Sequence, residues 1–229
     1  MRFAIRETDD CVQYILEDRG PITDTQLTEM FYTNRGGVYS RTYAKQNLMF
    51  PHDFAAIERN YNRHKEKALT VGFSKDDLVQ ALTWVADTMS SSQIRWWLTG
   101  SAALFVRGVD VMPHDLDVMT YKTEIGKIAL TFGPWTIEPF EHATDWVVKG
   151  FGVADHSFRL DFAFEPEPDV DKDGILDFGP YAEAHLETVI WKGRPIRVPP
   201  LKAQLLSNVQ RKRSKVVEGI ELLLRRSDA

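Results

Sequence analysis

From residue 73 onward, the order of apolar and polar positions changes repeatedly between helical and strand-like spacing. Residues 75–89 place apolar side chains on one face of a helix, which Ser74 is positioned to cap. Residues 158–164 alternate strictly between apolar and polar, as expected for a strand with one buried face. The same patterns predict further helices at 101–109, 122–132 and 202–226, and further strands at 94–99, 115–120, 146–153, 181–190 and 194–198. Helices interleaved with a mixed sheet predict an α+β fold with an α/β-type core.

Residues 1–72 have a different pattern and are predicted to form a helical N-terminal extension, separate from a core at residues 73–229 that ends in C-terminal helices. Helices are predicted at 9–18, 26–32 and 53–69. Two short helices followed by a turn resemble a winged-helix module. A helical extension packed on the core is the other interpretation, and the sequence favours it.

Composition narrows the class of protein. A chain of 229 residues can bury a substantial core, and its single cysteine, Cys11, excludes an intramolecular disulfide and fits a reducing cytosol. The first residues lack the apolar stretch of a secretory signal, and no run approaches the roughly 20 apolar residues of a membrane span, so a cytoplasmic location is expected. A net charge of −5 argues against broad nucleic-acid binding, although the basic run at 210–215 leaves a local phosphate or RNA contact open.

Two short segments carry the chemistry. In the predicted strand at 115–120, Asp115 and Asp117 project to the same side, because side chains alternate along a strand, and together they form a potential cation site. About fifteen residues earlier, Gly100 and Ser101 begin a predicted helix, where free backbone N–H groups form a potential anion site. A cation site beside a phosphate site indicates nucleotide chemistry.

A third carboxylate lies in the strictly alternating segment. Asp161 occupies the polar face of the predicted strand at 158–164. If this strand lies beside the strand of Asp115 and Asp117, three carboxylates converge. Such a set suits Mg²⁺, which prefers oxygen ligands and takes substrate phosphates as partners. Two such ions can stabilise the attacking and leaving oxygens of an in-line displacement.

These residues resemble the signature of the polymerase-beta-type nucleotidyltransferase superfamily, in particular its small bacterial members such as the lincosamide-type antibiotic nucleotidyltransferases. The resemblance extends over about residues 78–206. It implies transfer of a nucleoside monophosphate from a nucleoside triphosphate (NTP) to a hydroxyl group of a small molecule or macromolecule, with release of pyrophosphate and with Mg²⁺ or Mn²⁺ as cofactor. It also implies that Asp115, Asp117 and Asp161 are the catalytic and metal-binding residues, and that Gly100 and Ser101 contact the triphosphate.

One position departs from the family pattern. Many members carry an arginine four residues before the first aspartate, and this chain has Val111 there, so Arg107 is the predicted substitute at the triphosphate. The departure supports an alternative, a catalytically weak nucleotide-binding or regulatory protein on the same fold. In a third version, residues 1–72 bind DNA and the core is a nucleotide sensor. Metal-dependent NTP turnover distinguishes the transferase from both alternatives.

The acceptor is not evident from the sequence, because acceptor recognition lies in loops and flanking helices that vary freely on one fold. Asp161 is the first candidate for the base that deprotonates the acceptor hydroxyl. Glu138, Glu141 and Asp145 are possible groups on the acceptor side. A calcium-type loop at 169–177 lacks the glutamate of its twelfth position, so a solvated acidic turn is the favoured interpretation.

Overall fold

The computed structural model describes residues 1–143 and 146–227, which form strands and helices in alternation. The strands are β1 Arg2–Glu7, β2 Cys11–Asp18, β3 Thr33–Arg35, β4 Val38–Ala44, β5 Trp96–Leu98, β6 Leu116–Thr120, β7 Thr136–His142, β8 Val148–Asp155, β9 Arg159–Pro166, β10 Glu187–Trp191 and β11 Arg194–Val198. The helices are α1 Asp24–Glu29, α2 Phe54–Thr70, α3 Lys75–Ser91, α4 Gly100–Val106, α5 Ile125–Phe132, α6 Pro180–Ala184, α7 Leu201–Gln210 and α8 Ser214–Ser227. In the part of the chain described, every helix is too short or too polar to cross a membrane.

A five-stranded mixed sheet lies at the centre, in the order β5-β6-β9-β8-β7. Strands β6 and β9 are parallel, and the other neighbouring pairs are antiparallel. One face is apolar because β9 directs Leu160, Phe162 and Phe164 toward it, where they are buried in the main core with residues of α3, α4 and α5. Helix α3 begins at a capping box in which Ser74 and Asp77 exchange hydrogen bonds, which fixes its start beside this core. The α+β fold predicted from the sequence is confirmed.

The N-terminal residues form a second sheet, in the order β1-β2-β4-β3, that packs with α2 on the other face of the central sheet. Ile137 and Val153 of the central sheet are buried in the same apolar cluster as Phe3 and Tyr14. The Tyr14 hydroxyl donates to the Ile137 carbonyl at 3.0 Å. The guanidinium of Arg41 approaches the buried Glu138 carboxylate at 2.8 Å. The N-terminal part is therefore packed on the core through both apolar and ionic contacts.

The predicted helix at 9–18 is wrong, since these residues form strand β2. Val12 and Tyr14 are buried and their neighbours are more exposed, so the segment follows the two-residue period of a strand. The extension is therefore a sheet with the short helix α1, followed by α2, and not the helical or winged-helix-like unit that was predicted. The independence of residues 1–72 from residues 73–229 stays a prediction.

Three further elements differ from the sequence-based expectation. Residues 181–190 were predicted as one strand, but Pro180 begins helix α6 and the strand starts only at Glu187. The segment 202–226 is two helices, separated at residues 211–213. Strand β7 was not predicted at all, although it forms one edge of the central sheet.

The ionic contact between the two sheets gives a stability prediction. We expect Arg41→Met to lower the free energy of unfolding by about 3 kcal/mol, because it removes the nearer partner of a buried carboxylate. Urea denaturation followed by tryptophan fluorescence measures the change. Arg35→Met is the matched control, since Arg35 lies exposed on the same hairpin and has no ion pair in the described residues. An equal effect of the two substitutions would contradict the assigned role of Arg41.

Candidate active site

Two of the three carboxylates predicted to converge lie on neighbouring parallel strands, whereas Asp115 lies in the bend just before β6 and not in the strand predicted for it. Asp117 of β6 is in register with Asp161 of β9, so the two side chains project from the same face of the sheet. Leu116 and Leu160, the residues before them, point into the core on the other face. The expectation that Asp117 and Asp161 share a face is confirmed, whereas their chemical roles stay predictions.

Asp117 lies in a crowded group of acids. Burial raises the pKa of Asp117 well above its ordinary value, and the charges of Asp115, Asp161 and Asp177 raise it further, whereas Arg211 lowers it. The carboxylates of Asp115 and Asp117 have no hydrogen-bond or ion-pair partner among the residues described. A cation placed between them would relieve this repulsion.

Gly100 allows Asp117 to occupy its position. The φ angle of Gly100 is +61°, in the left-handed region, and a Cβ there would overlap the Oδ2 atom of Asp117. Gly100 is the first residue of α4, and the hydroxyl of the preceding Thr99 donates to the Asp177 carbonyl instead of capping the helix. The glycine of the Gly-Ser step therefore brings the start of α4 directly against the carboxylate.

A cleft of about 280 Å³ opens at this point. Its polar lining consists of Thr99, Gly100, Asp117, Asp161, Asp177, Arg211 and Arg213. Arg211 donates two hydrogen bonds to the buried Asp177 carboxylate, at 2.7 and 3.0 Å. Arg213 is exposed and has no side-chain partner in the described part of the chain. Arg213 is therefore free to contact an anion bound in the cleft.

Sequence reasoning did not assign Asp177, Arg211 or Arg213 to the site. The basic run at 210–215 was recognised as a possible phosphate contact, but the sequence could not indicate which of its cations faces the cleft. Asp177 was assigned only to the acidic loop. Its proximity to Asp117 depends on packing between segments about sixty residues apart.

Asp161 is held by a neighbour on its own strand. Arg159 donates to both carboxylate oxygens of Asp161, from Nε at 2.6 Å and from Nη2 at 2.9 Å. Burial raises the pKa of Asp161 to about 6, even though Arg159 acts in the opposite direction. A carboxylate with this pKa is closer to the range of a general base than an ordinary aspartate is. In this arrangement both oxygens of Asp161 are already occupied by hydrogen bonds.

The acids present fit one divalent ion better than two. Within residues 1–143 and 146–227, no three histidine, cysteine, aspartate or glutamate side chains are grouped closely enough to hold a metal by themselves. Asp161 and Asp177 face guanidinium groups, which leaves Asp115 and Asp117. Mg²⁺ is commonly bound by one or two carboxylates together with water and substrate phosphates, so this pair is a sufficient protein contribution for one ion.

The remaining predicted nucleotide contacts lie beside the cleft and not in it. Ser101 is half-buried next to Gly100 and is not part of the lining. Arg107 is held elsewhere: its Nη2 atom lies 2.5 Å from the Glu187 carboxylate and donates to the Pro199 carbonyl at 2.7 Å. In this geometry Arg213, and not Arg107, is the cation available to a bound triphosphate.

The departure at Val111 has a local explanation. Val111 packs against an apolar cluster formed by Leu104, Val109, Leu201 and Ile220. An arginine that pointed into this cluster would bury an unpaired charge, which costs several kcal/mol. The surroundings of this position therefore favour an apolar side chain.

The predicted acceptor-side groups differ in environment. Burial acts to raise the pKa of Glu138, but the charges of Arg41, Arg159 and Lys65 together lower it to about 2. Burial raises the pKa of Glu141 above its ordinary value. Asp145, the third predicted group, lies outside the described residues.

The acidic loop at 169–177 is a structural turn. Asp169 forms an ion pair with Lys172 at 2.6 Å, and Asp171 accepts a hydrogen bond from the Tyr181 backbone at 2.8 Å. Asp177 is bound to Arg211, as described above. These contacts agree with the interpretation as an acidic turn that the sequence favoured.

Comparison with known proteins finds similarity only to solved structures, and at low identity. No family model and no curated protein matches it. Similar solved structures include a candidate nucleotidyltransferase of Thermotoga maritima, the lincosamide antibiotic adenylyltransferase LnuA with lincomycin bound, and ANT(2″)-Ia in complex with adenylyl-2″-tobramycin. They are 17%, 14% and 13% identical to this chain, with TM-scores of 0.47, 0.43 and 0.38. Each match covers 66% of this chain, and 95%, 98% and 98% of the other.

These neighbours are of the same class as the proteins that the sequence motifs resemble. At such identities and TM-scores, however, the likeness carries no argument about activity. The case for a function has to come from the geometry of the site.

The crowding of acids predicts a stabilising substitution. We expect Asp117→Asn to raise the melting temperature at pH 8 in the presence of EDTA by about 2–4 °C, as roughly 1 kcal/mol does in a chain of this size. A raised pKa in the folded state means that ionised Asp117 destabilises the fold at high pH. The penalty disappears as pH falls toward the unfolded value of about 3.9. The melting temperatures of Asp117→Asn and the wild type should therefore converge as the pH falls from 8 to 4.

Asp110→Asn serves as the control, because Asp110 is exposed in the loop before the site. The interpretation of Asp117 fails if its substitution lowers the melting temperature throughout the pH range.

Proposed function

We propose that this protein transfers a nucleoside monophosphate from an NTP to a hydroxyl-bearing acceptor, with one Mg²⁺ or Mn²⁺ ion and release of pyrophosphate. The observation that carries the proposal is the register of Asp117 with Asp161 on parallel strands, where Asp117 lies directly against Gly100 at the start of α4. Such an arrangement would let a metal ion, the phosphates and the candidate base meet at one cleft.

Each residue has a distinct part in the proposed reaction. Asp115 and Asp117 would hold the ion, which when bound neutralises charge on the phosphates. Arg213, which lines the cleft without a partner in the described chain, contacts a phosphate oxygen. The acceptor oxygen forms a bond to the α-phosphorus, the bond from that phosphorus to pyrophosphate breaks, and the hydroxyl proton passes to Asp161. Arg159 orients the carboxylate of Asp161 for this role.

The two hydrogen bonds from Arg159 to Asp161 also favour the second candidate function. A carboxylate whose oxygens are both occupied is a weaker base and a poorer ligand than a free one. A protein of this kind would bind nucleotide and turn it over slowly, as a nucleotide sensor does. Tight NTP binding without acceptor-dependent pyrophosphate release is the result that separates this candidate from the transferase.

The deciding experiment measures pyrophosphate release with each of the four NTPs, Mg²⁺ or Mn²⁺, and a library of hydroxyl-bearing metabolites and antibiotics. We expect Asp115→Asn and Asp117→Asn each to reduce the rate at least about 100-fold, because each removes a ligand of the charge-neutralising ion. Asp110→Asn should keep the wild-type rate. Unchanged turnover in both site variants would eliminate the proposed mechanism.

The assignment of Arg213 gives a separate kinetic prediction. Arg213→Met should raise the KM for NTP about tenfold, the equivalent of one charge-assisted hydrogen bond, and should leave the KM for the acceptor nearly unchanged. Lys212→Met removes the neighbouring exposed charge, which is not part of the cleft lining, and should have little effect. Equal KM values for the two variants would place the triphosphate elsewhere.

A further inference from the structure

A second, larger cleft of about 790 Å³ lies between the N-terminal part and the polar face of the central sheet. Phe31 and Arg41 line it from the N-terminal part, and Lys65 lines it from α2. Glu138 and Arg159 line it from the central sheet. Its volume lies within the range of small-molecule sites, about 300–1,000 Å³.

The two clefts share a wall. Trp146, Phe151 and Asp161 line both the 280 Å³ cleft and the 790 Å³ cleft. A molecule in either cleft would therefore reach Asp161. Asp161 is the candidate base, and a base must lie beside the acceptor hydroxyl that it deprotonates. The larger cleft is therefore in the position required for an acceptor site.

The floor of the larger cleft carries an excess of one positive charge. The charge of Lys65 interacts with the charges of four other lining residues. We call these five residues the floor of the cleft: Arg41, Lys65, Glu138, Arg159 and Asp161. The two carboxylates are matched by the two guanidinium groups, with Arg41 2.8 Å from Glu138 and Arg159 2.6 Å from Asp161. The ammonium of Lys65 is the charge left over.

Lys65 is buried without an acceptor for its hydrogen bonds. The residue is 7% exposed, and its ammonium lies 5.1 Å from the centre of the Tyr61 ring. Among residues 1–143 and 146–227, no oxygen accepts a hydrogen bond from it and no carboxylate pairs with it. Burial lowers the pKa of Lys65 to about 8, which reflects the cost of holding this charge away from water. An anion bound in the cleft would supply the missing partner.

The other charged groups of the lining lie nearer to its rim. Arg35 and Glu29 are exposed, so water screens both of them. Glu141 is half-buried, and its carboxylate has no hydrogen-bond or ion-pair partner in the described residues. The lining as a whole has as many acidic as basic groups, so the unpaired positive charge is local to Lys65 on the floor.

We infer that the larger cleft binds the acceptor and that Lys65 holds an anionic group of it, so that the acceptor is a hydroxyl-bearing phosphate or carboxylate of metabolite size. That the bound molecule is an acceptor rests on the proposed transfer reaction. That it is an anion rests on the cleft and on the unpartnered ammonium of Lys65. Phosphate and carboxylate share the chemistry that an ammonium recognises, so the experiment has to separate them. A cationic acceptor would meet the positive floor and bind poorly.

The test uses the whole 229-residue chain without nucleotide and four hexoses that share one ring type: glucose 6-phosphate, glucuronate, glucose and glucosamine. Binding is measured by titration calorimetry. We expect at least one of the two anionic hexoses to bind at least tenfold more tightly than glucose, and glucosamine to bind most weakly. The ranking of glucose 6-phosphate against glucuronate shows whether phosphate or carboxylate is the preferred group.

Variants connect this preference to the lysine. Lys65→Met should remove the advantage of the anionic hexose, and Lys65→Arg should retain part of it because the positive charge remains. Arg59→Met is the matched control: Arg59 is exposed on the same helix and outside the cleft, so binding should be unchanged. Thermal melts of each variant verify that the fold is intact.

The inference would be overturned if neither anionic hexose binds, or if glucose or glucosamine binds as tightly as the anionic hexoses. It would also be overturned if a folded Lys65→Met variant still binds the anionic hexose more tightly than glucose. Turnover is then assayed separately with each hexose that binds. Anion binding that depends on Lys65, without pyrophosphate release, would contradict the proposed transfer and leave the anion site established. Release with a neutral hexose alone would support the transfer and contradict the anion site.

Discussion

One guanidinium group holds together the polar face of the central sheet. Arg159 donates to both oxygens of Asp161 and also lies 3.6 Å from Glu138, which is almost fully buried. A buried charge is costly unless it has a close partner of opposite sign. The N-terminal sheet contributes Arg41 to the same cluster. One set of ionic contacts therefore holds the candidate base in position and, together with the apolar contacts, holds the N-terminal sheet on the core.

The same principle divides the acids in and beside the 280 Å³ cleft into two kinds. Asp161 and Asp177 each receive two hydrogen bonds from an arginine, whereas Asp115 and Asp117 have no such partner in the described structure. The unpartnered pair has the greater need of a cation. The division differs from the sequence-based expectation of three equivalent carboxylates. It also means that Arg159 and Arg211 reduce the negative charge of this cleft.

The sequence predicted those parts of the site that depend on local periodicity. The two-residue period of a strand is sufficient to put Asp117 and Asp161 on the polar faces of β6 and β9. Asp115 precedes β6, so that period does not determine its position. The register of β6 with β9 is a tertiary property, and the motif resemblance was needed to expect it. The N-terminal strand β2 was missed because the alternation of Val12, Tyr14 and Leu16 spans only a few residues and its polar positions include the apolar Ile15. Arg211 and Arg213 could not be assigned, since their distance to Asp117 is set by the packing of the C-terminal helices.

The contact between Gly100 and Asp117 also constrains how this protein can vary. Any side chain at position 100 would occupy the space of the Asp117 carboxylate, and the left-handed backbone there already disfavours residues other than glycine. In relatives with this geometry, the two positions should therefore covary: glycine is retained wherever the aspartate is retained. Descendants that have lost the aspartate are freed from this restriction, so a larger residue at position 100 would be a marker of lineages in which the site has decayed.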